Sequence, residues 1–218
     1  MIRRVLVLLG KSILTLAALL VGLTLLYMVV MPPSTLMLGR WLTLKSVERQ
    51  AVPLSEISPN LRLMVIASED GQFCRHSGVD WDQVRIVIES GARRGASTIP
   101  MQTAKNVFLW PQRSYVRKAL EVPLAMWLDL VWSKERMLEI YLNVAEWGEG
   151  VYGAEAAARL HFNKAAKDLT QREAALLATA LPNPLARNPG RPSANHARLA
   201  ERLAARAVRS GPIAACVN

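Results

Sequence analysis

Residues 58–80 read SPNLRLMVIASEDGQFCRHSGVD. Ser58-Pro59 is an N-cap followed by proline at the first helical position, where its missing N–H is not needed. An apolar helix over 61–68 follows and ends on two adjacent carboxylates, Glu69 and Asp70, at a Gly71 turn. The same pattern of cap, apolar spacing and stop recurs downstream. Asp80 followed by Gln83 resembles a capping box, and Val84, Val87 and Ile88 fall on one face until Gly91. Ser133 starts a segment in which Met137, Leu138, Tyr141 and Leu142 repeat at helical spacing. Thr170 with Glu173 is a clearer capping box, followed by Leu176, Leu177, Ala180 and a stop at Pro182. Residues 194–209 read as a last helix with Gly211 just beyond. Strand signals are thin: there is no sustained alternation and no Asn-Gly hairpin. The expected fold is mainly α.

Upstream, no charged side chain occurs between Lys11 and Arg40, and residues 13–31 read ILTLAALLVGLTLLYMVVM. A helix of about 19 such residues spans roughly 28 Å, close to the hydrocarbon core of a bilayer. Pro32-Pro33 stops it, while Tyr27 and Trp41 suit a membrane interface. A cleaved signal peptide has a shorter apolar region and small residues at its cleavage site. Met31-Pro32-Pro33-Ser34 is a poor cleavage site, so an uncleaved transmembrane helix is expected. Arg3, Arg4 and Lys11 precede it, which keeps the N-terminus cytoplasmic and puts the rest outside. The expected organisation is a cytoplasmic N-terminus and anchor over 1–33, a linker or membrane-proximal segment over 34–53, and one domain over 54–218.

All 17 acidic residues and 24 of the 27 basic ones follow the apolar run, leaving the exported part at about +7. Such a charge favours polyanionic partners. Export makes nucleic acid the least suitable of these and lipid phosphate the simplest. Cys74 and Cys216 are expected as two free thiols, one in a dense motif and the other far along the chain. Three scattered histidines without Cys/His spacing give no zinc site.

Three clusters can carry chemistry. In the first, residues 69–80, a carboxylate at the mouth of an apolar helix can have a raised pKa and act as general base, although Glu-Asp-Gly is also an ordinary helix exit. The second is GASTIPMQTAKN, residues 95–106. Small residues precede a helix start near Pro100, where free N–H groups and hydroxyls can receive an anion, and Gln102 and Lys105 share a face. A capped helix with solvated polar residues reads the same way. The third is Arg117-Lys118-Ala119-Leu120-Glu121. By itself it is a surface ion pair worth under about 1 kcal/mol; equally, two cations beside a carboxylate suit a pyrophosphate site.

In order and spacing these clusters resemble the signature blocks of the peptidoglycan glycosyltransferase family. The family's Glu-Asp-x-x-Phe-x-x-His-x-Gly is matched at Glu69, Asp70, Phe73, His76 and Gly78. Gly-x-Ser-Thr-Ile-x-x-Gln-x-x-Lys-Asn is matched at Gly95, Ser97, Thr98, Ile99, Gln102, Lys105 and Asn106. Arg-Lys-x-x-Glu is matched at Arg117, Lys118 and Glu121, and further blocks at KERMLEIYLN (134–143) and GEGVYGA (148–154). Many relatives carry two glutamines where this chain has Met101-Gln102, so a polar role at the first position is in doubt.

The resemblance implies a lysozyme-like helical domain with a flexible membrane-proximal lobe. It also implies polymerisation of lipid II into glycan strands, with release of undecaprenyl pyrophosphate. Glu69 would be the general base, with Asp70 and His76 supporting it. Lys105, Arg117 and Lys118 would stabilise the leaving pyrophosphate, and Glu121 would orient Arg117 or help hold a divalent cation (Mg2+ or Mn2+) or the donor. Phe73, Ser97, Thr98, Gln102 and Asn106 would position substrate. No organic cofactor is implied. Partners would be lipid II, the growing strand, membrane lipids and other cell-wall synthesis or division proteins, at the cytoplasmic membrane with the catalytic domain periplasmic. Glu139, Tyr141 and Asn143 read as core with one buried polar network, and Arg198, Arg202 and Arg206 as a solvated face. Two rivals stand beside this: a lysozyme-like lytic enzyme, which has less need of clustered cations, and a membrane-anchored glycan-binding scaffold with a dead site. No Ser-x-x-Lys motif occurs in the chain, so a crosslinking function is not expected.

Overall fold

The computed structural model describes residues 2–91 and 95–217, and it separates into two compact units, Met1–Pro32 and Pro33–Asn218. The first is the helix α1, Ile2–Leu26. Its Arg3–Leu26 stretch is long and apolar enough to cross a membrane. The helix begins well before residue 13 and stops before residue 31. Met28 and Val29 donate instead to Leu25 and Leu26 three residues back. The β-branched Val29-Val30 and the prolines that follow disfavour further α-helix.

The second unit holds the remaining helices. They are α2 (Thr35–Leu42), α3 (Pro59–Glu69), α4 (Trp81–Ser90), α5 (Ile99–Phe108), α6 (Tyr115–Val131), α7 (Lys134–Val144), α8 (Ala154–Phe162), α9 (Gln171–Ala180) and α10 (Ala194–Arg209). Ser58, Asp80, Ser133 and Thr170 each accept a backbone N–H as N-caps, and at Thr170 the Glu173 carboxylate returns the bond. A small sheet was not legible beforehand. Its strands β1 (Glu48–Arg49), β2 (Glu146–Gly148) and β3 (Val151–Tyr152) run in the order β1-β3-β2. Segments of two or three residues carry too little alternation to register.

α7 forms the middle of the domain, with Met137, Leu138, Ile140, Leu142 and Val144 all fully or almost fully buried. A helix enclosed on all sides must satisfy its polar groups internally. Asn143 does so by accepting from Val52 N–H and donating to Val52 C=O, and Glu139 accepts from Leu54 N–H. Residues 34–53 are thereby drawn onto the domain: α2 packs on α5, and β1 pairs in parallel with β3. α3, α9 and α10 pack on one another, while α5 packs against α6 and α7. This brings the C-terminal end of α3 beside the N-terminal half of α5. α4 departs from its expected buried face: Val84 packs on the core but Ile88 is 75% exposed.

Cys74 and Cys216 are joined in a disulfide, with Cα atoms 5.6 Å apart and 142 residues between them in sequence. The expectation of two free thiols is therefore wrong. The last turn (Ala215–Val217) packs on α7, and Arg62 donates to Val217 C=O, so the fold itself brings the second cysteine to the first.

Candidate active site

Glu69 ends α3, and its carboxylate is held from two sides. Ser68 Oγ donates to Oε1 at 3.0 Å, and Gln102 Nε2, from α5, donates to Oε2 at 3.1 Å. Burial raises the Glu69 pKa above the ordinary carboxylate range. The Gln102 and Ser68 hydrogen bonds and the Lys105 charge partly offset this, and Asp70 adds to the rise. The group can therefore take up a proton readily while remaining open to the cleft.

Asp70 points away from that task. His76 Nε2 lies 2.9 Å from each of its oxygens, and Ile99 N–H donates to Oδ2. The pair thus ties the 71–79 loop to the start of α5. Thr98 completes the tie: its hydroxyl donates to Gly78 C=O at 2.6 Å and caps α5 by accepting from Met101 N–H. Gly78 has φ +82, and a Cβ there would meet Ala125 O at 2.7 Å, so only glycine fits the crossing. Phe73, expected to touch substrate, is fully buried. Lys134 Nζ sits 4.9 Å from its ring centre and donates to His76 C=O. Phe73 therefore supports the loop and offers a ligand no surface. Met101 packs with Val79 and Ala125, with Val84 and Val122 against them, which makes the polar-to-apolar difference at this position a core contact facing away from Glu69.

The ion pair of the third cluster is not on the surface, although Lys118 beside it is exposed. Arg117 and Glu121 are 8% and 3% exposed and are paired through Nη1 and Oε1. Lys118 donates to the other Glu121 oxygen at 2.9 Å and to Ser97 Oγ at 2.6 Å. Lys105, one turn beyond Gln102, feels the charges of Glu121, Arg117, Lys118 and Glu69, and burial lowers its pKa. Both Glu121 oxygens are thus engaged by cations. The described residues contain no group of three or more His, Cys, Asp or Glu suited to a metal. The pattern does not fit Glu121 as a metal ligand.

Two cavities adjoin here. One, of about 530 Å³, is lined by Glu69, Gln72, Arg75, Gln83, Ser97 and, from the far end of the chain, Arg206, Ser210 and Ile213. The other, of about 970 Å³, is lined by Gln102, Lys105, Arg113, Arg117, Lys118 and Glu121. Gly95 and Ser97 belong to both. Asn106 stands apart from both linings; its backbone carbonyl accepts from Thr35 Oγ1. Arg206 stays on the exposed face expected of α10, and its guanidinium also reaches back to donate to Ala67 C=O at 2.6 Å. Tyr141, read as core, donates its hydroxyl to Gln102 Oε1 at 3.2 Å. Arginines and serines at the end of a helix carry no signal that identifies them as cavity walls. Tyr141 at least lay in a recognised block.

A proton acceptor beside one cavity and three cations around the next are the parts of a group-transfer enzyme whose leaving group is an anion. The chain belongs to the transglycosylase family, whose model matches residues 37–208. It is 53% identical over 219 residues to a biosynthetic peptidoglycan transglycosylase of Rhizobium meliloti, covering 99% of this chain and 92% of the relative. Proteins of the same description from Brucella suis (54% identical; 87% and 86% covered) and Rhodopseudomonas palustris (53%; 89% and 88%) are similar to it as well.

Proposed function

We propose that the protein polymerises peptidoglycan glycan strands from lipid II at the outer face of the cytoplasmic membrane. It is a biosynthetic glycosyltransferase, and the single observation that carries its mechanism is the adjoining of the Glu69 cavity and the Lys105/Arg117/Lys118 cavity at Gly95 and Ser97. Glu69 takes the proton from the 4-hydroxyl of the incoming sugar. The freed oxygen forms a bond to the anomeric carbon of the growing strand, with inversion. The bond from that carbon to the phosphate oxygen breaks, and undecaprenyl pyrophosphate leaves with the electron pair. The leaving charge meets Lys105, Arg117 and Lys118; Arg117 is the suited phosphate partner because its planar fork donates in parallel. Glu121 holds Arg117 and Lys118 in place between turnovers. Ser97 spans the two cavities and Gln102 steadies Glu69.

α1 anchors the enzyme where its lipid-linked substrate resides, and Arg3, Arg4 and Lys11 keep its N-terminal end inside. The net positive charge of the exported part suits a surface of lipid phosphates. The test is direct: detergent-purified protein is incubated with fluorescent lipid II and the products are separated on a gel. Long glycan from the wild type and none from folded Glu69→Gln supports the reading. Shortening of preformed glycan would point to a lytic enzyme, and no product from well-folded wild type to a scaffold.

A further inference from the structure

The Glu69 carboxylate does not meet Gln102 alone. A chain of two hydrogen bonds runs Tyr141 Oη → Gln102 Oε1 at 3.2 Å and Gln102 Nε2 → Glu69 Oε2 at 3.1 Å, crossing from α7 through α5 to the end of α3. A primary amide has a donor end and an acceptor end of nearly equal shape. Turned over, Gln102 would set its carbonyl oxygen against an ionised carboxylate, and the base would lose its donor. We propose that Tyr141 is a positioning residue for the transfer reaction: its hydroxyl proton engages the Gln102 carbonyl and so keeps the amide N–H directed at Glu69.

Three features of the molecule support this. Tyr141 is 1% exposed on a helix enclosed by the core, so its ring has little freedom to carry the hydroxyl elsewhere. Burial, together with the Glu69 and Asp70 carboxylates, holds the phenol well above its ordinary range, so it remains a donor at any pH at which the enzyme works. Gln102 also lines the larger cavity, one turn from Lys105, so an amide fixed in orientation gives that cavity a constant boundary while it holds the carboxylate that lines the other. The charged groups that face Glu69 are Asp70 on its own chain segment, Lys105 from α5, and Arg75, Asp80 and Arg206 around the cavity. None of these contacts the Gln102 carbonyl, so Tyr141 has its own part in setting the environment of the base.

The inference rests on Glu69 acting as base, and the experiment separates the two claims. The pH dependence of kcat/KM for lipid II polymerisation is measured for wild type, Tyr141→Phe and, as a core control on the same helix, Ile140→Val. Tyr141→Phe keeps the ring and removes only the hydroxyl. Its acidic limb should move up by about 0.5 to 1 pH unit, the size expected when one hydrogen bond to the ionised form is weakened. KM should stay within about twofold, and Ile140→Val should keep the wild-type limb despite lost packing. An acidic limb for Tyr141→Phe that superimposes on wild type, with Glu69→Gln inactive, overturns the positioning role and leaves the base intact. Wild-type-like turnover by Glu69→Gln instead removes the reading on which the inference rests.

Discussion

Arg117 and Glu121 form an ion pair with 8% and 3% of their surfaces exposed, in the wall of the cavity that Lys105 shares. Removing one member of such a pair leaves a buried charge without compensation, which costs about 3 to 5 kcal/mol, whereas an exposed pair is worth under about 1. Glu121→Ala should therefore lower the unfolding free energy by about 3 to 5 kcal/mol. Denaturant titration of the detergent-solubilised enzyme measures it, and a loss below about 1 kcal/mol would show a pair that behaves as though solvated. Arg117→Lys should not restore the site, because the guanidinium also donates from Nε to Gln112 C=O.

Glu69 carries a stability penalty that its removal should reveal. Its carboxyl has a higher pKa folded than unfolded, so the folded state binds that proton more tightly. Stability therefore falls as pH rises through the interval between the two values, and the penalty is complete above it. Glu69→Gln should melt at a higher temperature than wild type near about pH 8, and the difference should close below about pH 4. Thermal melts across that range decide it. Equal melting temperatures at every pH would mean the carboxylate is as well solvated in the fold as out of it.

Lys105 should set the basic side of the pH profile. Burial and the neighbouring Arg117 and Lys118 depress its ammonium below the ordinary lysine value, outweighing Glu121 and Glu69. Activity that needs the cation then fails at a lower pH than a free lysine would allow. Lys105→Arg, which stays charged, should move the basic limb of kcat upward whatever its absolute rate. An unmoved limb would assign the ionisation to another group.

The Cys74–Cys216 bridge closes a loop whose ends are 142 residues apart. In the chain-entropy picture such a closure stabilises by about 5 kcal/mol, and measured values commonly fall below that. Cys216→Ser should lower the melting temperature. Because Ser210 and Ile213 line the Glu69 cavity, it should also raise KM for lipid II more than it lowers kcat. Melts with and without reductant, paired with steady-state kinetics, test both effects.

Four of the ten helices among the described residues could be read from caps alone. Ser58, Asp80, Ser133 and Thr170 mark starts that the structure keeps, because a cap is a contact within three residues. The candidate site was legible to the extent that its residues cluster along the chain: Glu69 and Gln102 meet, as do Ser97 and Lys118. Contacts made across the fold could not be read that way. Whether Arg117 and Glu121 face water or core depends on how α6 packs, and four-residue spacing is the same in both cases. Phe73 sits among polar motif residues yet points inward. Arg206 and Cys216 reach the site region from beyond residue 200, a distance over which no local pattern operates.

With Cys74 bonded to Cys216, residues 75–215 lie within one covalent ring that includes Gln102, Lys105, Arg117 and Glu121, while Glu69 stands just outside it. A single backbone break anywhere in that ring leaves both pieces attached to each other. A molecule nicked there would still keep Glu69 and the cations of the neighbouring cavity on one tethered body.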